Sequence, residues 1–146
     1  MKKIGYIAEE RIFGYHKEVE ISSAELLALY TTPKTLVAAP GAGKVLEFIS
    51  LLLAYDYGTI VYTIGAAGAF RVKYTDASGA TVSTTAPQAG MTDQATDQVR
   101  LLDKTAATVT PVVNAALVLH FPGADVTDGN GTIHVKIAYR VRSTGL

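Results

Sequence analysis

From residue 34 onward the apolar positions of this chain recur every second residue, the period of a half-buried β-strand. Phe70, Val72 and Tyr74 alternate with Arg71, Lys73 and Thr75, and Asp76-Ala77-Ser78-Gly79 then leads into residues 80–85, which predicts a hairpin. Ala115, Leu117, Leu119 and Phe121 share one face. Ile133, Val135, Ile137, Tyr139 and Val141 alternate with His134, Lys136, Ala138, Arg140 and Arg142 in the cleanest strand pattern of the chain. Residues 122–131, between these two strands, are dense in turn formers and predict a loop. Residues 92–102 predict a short helical turn capped by Thr92 or Asp93. Ser22 with Glu25 three residues later forms a capping box for a helix through Leu29, with a strand as the alternative, and Pro33 ends either. About seven or eight short strands without βαβ alternation predict an all-β fold, an antiparallel β-sandwich or jelly-roll-like barrel.

Residues 45–53 break the simple pattern. Under strict alternation Val45, Ile49, Leu51 and Leu53 fall on one face and Leu46, Phe48 and Leu52 on the other, so both faces are apolar. A two-layer sandwich covers one face of such a strand, and the other needs an N-terminal arm, the short helix or a neighbouring subunit. Each large aliphatic side chain left in water forfeits roughly 1.5–3 kcal/mol of a total stability of about 5–15 kcal/mol. On this argument Val45, Phe48, Ile49, Leu51, Leu52 and Leu53 are expected at an oligomer interface.

The segment just before this strand resembles a phosphate-binding loop and then departs from it. Gly43-Lys44 is present, but Ala38 stands at the first glycine position and Val45 where a magnesium-binding hydroxyl is required. A phosphate-binding loop also opens a helix, whereas residues 45–53 carry a strand pattern. Pro40 to Gly43 is therefore expected to be the turn of a β-hairpin.

A chain of 146 residues with 49% hydrophobic and 18% charged residues is one domain with little charge to coat it. Surplus apolar surface of that kind points to a subunit interface. Thirteen Lys and Arg against thirteen Asp and Glu provide no long-range attraction to nucleic acid or anionic lipid. With no cysteine there is neither a disulfide framework nor a thiolate zinc site, in keeping with assembly in a reducing cytoplasm. Glu9, Glu10 and Arg11 interrupt the N-terminal apolar run too early for a signal peptide, and no run approaches the roughly 20 residues of a membrane span. Charge crowds into residues 1–20, which are expected to form an arm on a single β-sandwich domain of residues 21–146.

No catalytic constellation emerges, and no cofactor or metal site is expected. His120 lies in an apolar strand and His134 beside Lys136, neither with convergent partners or a metal-ligand spacing. Asp125, Asp128 and Asn130 could offer oxygens to calcium, but they lack the ligand register and terminal Glu of an EF-hand, and the same residues serve a hairpin loop. His134, Lys136, Arg140 and Arg142 form a basic row on one strand face, to which Arg71 and Lys73 would add. With Lys2, Lys3 and Arg11 of the arm, this row is the expected docking surface for an acidic protein partner. No stacking aromatics interleave with it, as single-stranded nucleic acid would require.

Taken together, residues 26–44 (Leu-Leu-Ala-Leu-Tyr-Thr-Thr-Pro-Lys-Thr-Leu-Val-Ala-Ala-Pro-Gly-Ala-Gly-Lys), Tyr55-Asp56-Tyr57-Gly58, residues 110–118 and residues 129–141 resemble small virion structural proteins of tailed bacteriophages. The resemblance covers about residues 21–142. It implies a non-enzymatic capsid decoration, or cement, protein that forms a homotrimer, assembles in the host cytoplasm and binds the major capsid protein on the outer head surface. A tail, neck or head-fibre component, or a host-surface glycan-binding module, is the alternative. The arm would bridge to the capsid protein or a neighbouring trimer.

Overall fold

The computed structural model describes residues 14–146. It is a β-sandwich of two antiparallel four-stranded sheets. The first sheet contains β1 (Tyr15–Ile21), β10 (Thr132–Ser143), β3 (Lys44–Asp56) and β7 (Gln98–Asp103), in that order across the sheet. The second runs β2 (Lys34–Val37), β8 (Leu117–His120), β5 (Ala69–Tyr74) and β6 (Ala86–Pro87). A two-stranded ribbon pairs β4 (Tyr62–Thr63) with β9 (Thr127–Asp128). The sheets do not close into a barrel.

Helix α1 (Ser23–Leu27) is the short helix expected from the capping box, and both arms of that box are made. The Ser22 hydroxyl accepts from the Glu25 N–H at 3.3 Å, and the Glu25 carboxylate accepts from the Ser22 N–H at 3.0 Å. Lys34 pairs with the same carboxylate. Leu26 and Leu29, both fully buried, add this segment to the core.

The β3–β10 ladder contains the feature that organises the first sheet. Ala138 lies opposite Ser50, yet Tyr139 lies opposite Phe48, so Ile49 is one extra residue in β3. A bulge of this kind reverses the side-chain parity of the strand on its far side. Leu46 and Phe48 before it and Leu51, Leu53 and Tyr55 after it therefore all face the core, each at most 2% exposed. They meet Leu36, Phe70, Val72, Leu117 and Leu119 of the second sheet or its flanks in one apolar cluster. The Tyr74 hydroxyl donates to the Leu46 carbonyl at 2.5 Å and ties the sheets together at one end.

This bulge removes the second apolar face expected of residues 45–53. Phe48, Leu51 and Leu53 belong to the monomer's own core and are not an oligomer interface, because a single inward face takes what strict alternation divides between two. Val45, opposite Arg142, is nearly covered, Ile49 is half-buried at the bulge, and Leu52, opposite Lys136, keeps an outward position among half-exposed side chains. Gly14 packs over the bulge with φ 77°; a Cβ there would lie 2.5 Å from the Tyr139 carbonyl oxygen and 3.1 Å from Ile49 Cδ1. Glycine is required for that approach.

The hairpin through 76–79 forms, with Val82 N–H donating to the Val72 carbonyl and a bridge from Lys73 to Thr81. The expected hairpin at Pro40 to Gly43 does not: β2 and β3 belong to different sheets, and residues 38–43 cross between them. Asn114 Oδ1 fixes that crossing by accepting from Gly41 N–H at 2.9 Å. The helix expected over 92–102 is replaced by turns through residue 96 and then by β7, because ladder pairing with β3 at the sheet edge outweighs local helical preference. Residues 15–20 of the segment read as an arm belong to the edge strand β1, paired with β10 along its length.

The bulge sets a parity that mutation can read. Phe48→Ala and Leu51→Ala, an odd number of residues apart, are both expected to cost about 3 kcal/mol in denaturant unfolding, whereas Leu52→Ala costs under about 1 kcal/mol. Strict alternation would instead make Leu51 and Leu52 differ in the same way as Phe48 and Leu51.

Candidate interaction face

The outward face of the first sheet follows directly from its register. One row across it reads Glu18, Lys136, Leu52, Leu101, and the next reads Glu20, His134, Ala54, Val99. In these two rows the β1–β10 half is charged and the β3–β7 half apolar, and the next positions on β3 and β7, Ser50 and Asp103, are polar. Leu101 is 64% and Val99 58% exposed, the largest values for any strand apolar side chain among the described residues. With half-buried Leu52 and Ala54 beside them they form a strip on a sheet face that no described residue covers further. Isolated exposed apolar residues are ordinary, but neighbours aligned across two strands are the pattern of a contact surface.

Val99 and Leu101 escaped the sequence reading because they fell inside the segment assigned to a helix. The alternation of Val99 and Leu101 with Arg100 and Leu102 was the available signal: Leu102 is buried, and Arg100 turns back to donate to the Gly90 carbonyl at 2.6 Å.

The expected basic docking row lies on the same face, and the sheet brings two carboxylates to it. Lys136 Nζ is 3.3 Å from Glu18. Arg142 Nε donates to Glu47 at 2.6 Å, and Arg140 and Lys104 approach the same carboxylate at 3.9 and 3.8 Å. His134 is exposed in the row with Glu20. Arg71 and Lys73 do not extend the row, since β5 lies in the other sheet and both side chains donate to nearby carbonyls, of Ala69 and Ala77. Lys2, Lys3 and Arg11 lie outside the described residues.

Burial works to raise the Glu47 pKa, but the hydrogen bond from Arg142 and the charges of Arg142, Lys104 and Arg140 outweigh it and hold the carboxyl below its ordinary value.

The other polar candidates serve the fold. Asp125 Oδ1 accepts from the Tyr30 and Thr31 N–H groups at 2.9 and 3.2 Å. Asn130 Oδ1 accepts from Thr59 and Ile60 N–H at 2.8 and 3.0 Å, and Asp128 accepts from the Thr63 hydroxyl at 3.2 Å. The three oxygen donors of the loop thus hold three different places and do not converge. Among the described residues no group of three or more His, Cys, Asp or Glu is placed to hold a metal ion. His120 is 4% exposed, stacked on Tyr30, with Nε2 3.1 Å from the Tyr30 carbonyl oxygen. Burial, with the charge of Lys73, lowers its pKa against the opposing effect of that hydrogen bond.

A group whose pKa is depressed by folding stabilises the protein above its unfolded pKa and loses that contribution as pH falls through the folded value. Glu47→Gln should therefore lower the melting temperature at neutral pH, and the gap from the native protein should close as the pH falls below the ordinary carboxylate range. A gap of constant size in a melting-temperature series across that range would show that Glu47 does not hold the cations by charge.

No protein-family model, curated protein or solved structure matches this chain.

Proposed function

We propose that this chain is a non-enzymatic structural protein of a tailed-bacteriophage virion, a capsid decoration or cement protein that self-associates as a homotrimer and binds the major capsid protein on the outer head surface. The observation that carries the reading is the strip of Leu52, Val99 and Leu101 on the outward face of the first sheet. Its support from sequence is the resemblance of about residues 21–142 to phage virion modules. The polar side chains of the loops are consistent with a structural role, since they are used to clamp main chain to main chain.

In this reading the interface centre shifts from the interior of β3 to the β3–β7 edge of its sheet. Aqueous exposure of Val99 and Leu101 ends when a second copy covers them, and the charged half of the face forms the rim. A closed ring of copies then presents several identical docking surfaces, and simultaneous engagement converts modest contacts into durable attachment.

Light scattering after size exclusion tests the oligomer. The full-length chain is expected near three times 15.4 kDa, and Val99→Asp with Leu101→Asp should reduce it to one chain while leaving the melting transition cooperative. The same pair should abolish co-sedimentation with purified phage heads. A native monomer that also fails to sediment with heads contradicts the proposal.

A further inference from the structure

A cleft of about 430 Å³ opens at one end of the sandwich, between the start of β3 and the end of β5. That size lies within the roughly 300–1,000 Å³ of pockets that take small ligands, and it can receive a few side chains of a peptide. Its floor is the core itself: Leu46, Phe48, Tyr74 and Val82 are each at most 3% exposed. The hydrogen bond from Tyr74 to the Leu46 carbonyl fixes that floor. One wall is the crossing from β7 to β8, which contributes residues from Lys104 to Pro111. Among the described residues, the main chain of 106–113 is held by one hydrogen bond, from Ala107 N–H to Thr105 Oγ1, so its other donors and acceptors face solvent or an incoming chain.

The rim supplies the sign of the partner. Lys104 and Arg142 line the cleft and Glu47 is the one carboxylate among its lining residues. Both cations share that carboxylate, two positive charges against one negative. Lys104 and Arg142 remain 56% and 57% exposed, open to a second anion. A nucleic acid would need stacking rings at the rim, but the aromatic lining residues, Phe48 and Tyr74, lie in the floor.

We propose that this cleft is a docking site for an extended acidic segment of a partner protein, with an apolar side chain on the Phe48–Tyr74 floor and flanking carboxylates on Lys104 and Arg142. Wall main-chain groups would bond the segment as a strand edge bonds an added peptide. This supplies partner chemistry for the assembly role above. It is independent of the sheet-face strip, so loss of peptide binding and loss of self-association are separate results.

The test is a two-dimensional amide NMR titration of the full-length protein with a capped synthetic peptide of alternating glutamate and leucine, and with a matched lysine–leucine peptide. The acidic peptide should shift the amides of Val45, Val82, Lys104 and Val109 saturably, and its affinity should fall as salt rises. Lys104→Glu should weaken it about tenfold or more, and Thr108→Trp, at a wall position, should block it without touching the rim charge. The lysine peptide should leave these amides unmoved. No saturable shifts with the acidic peptide, equal binding of both peptides, or binding unaffected by both substitutions would each overturn the proposal.

Discussion

One extra residue in β3, Ile49, determines how the first sheet uses its hydrophobic side chains. Without the bulge, Leu46 and Phe48 would face away from the side occupied by Leu51, Leu53 and Tyr55, and one set would lie in water. At roughly 1.5–3 kcal/mol for each large side chain, losing even the smaller set of two forfeits about 3–6 kcal/mol, a large share of the about 5–15 kcal/mol of an ordinary domain. With the bulge, both sets enter one core against the second sheet. The neighbouring residues suit the crowding: Ala138 and Ser50 face each other beside the extra residue, and Gly14 passes over it where no side chain would fit.

Because β3 satisfies itself within one chain, the apolar surface left outside the core lies at the edge of the sheet. The apolar strip runs from Leu52 to Val99 and Leu101 on β7, next to a half-face that carries the Glu18–Lys136 pair. Such a face suits contact with copies of itself, in which a central apolar strip is excluded from water and charged pairs form the margin. The cleft at the end of the sandwich has the opposite character, an apolar floor under an excess of positive charge. In the proposed reading the first surface would serve self-association and the second would recognise another protein.

Much of the fold was legible in the sequence, and the exceptions share a physical cause. The alternation in 133–141 gave β10, the turn at 76–79 gave its hairpin, and the Ser22–Glu25 box gave α1, because each is a local signal. The bulge was not legible: a run of Val, Leu, Phe, Ile and Leu carries no mark for where alternation slips, and the slip is set by pairing with a strand more than eighty residues away. The same holds for β7, whose strand character comes from its place beside β3. The Pro and Gly of residues 40–43 mark a change of chain direction, but composition alone does not say whether a turn joins paired strands or changes sheets. For the candidate surface, the basic row was visible, whereas its acidic partners Glu47 and Glu18 were brought to it by strand register.

Cross-strand proton contacts between β3 and β10, measured by NMR on isotope-labelled protein, test the central claim most directly. The account predicts close backbone contacts of Ala138 with Ser50 and of Tyr139 with Phe48, with Ile49 lacking a partner of its own. An uninterrupted register that pairs Tyr139 with Ile49 and Arg140 with Phe48 would contradict it, and would return half of β3 to the outer face.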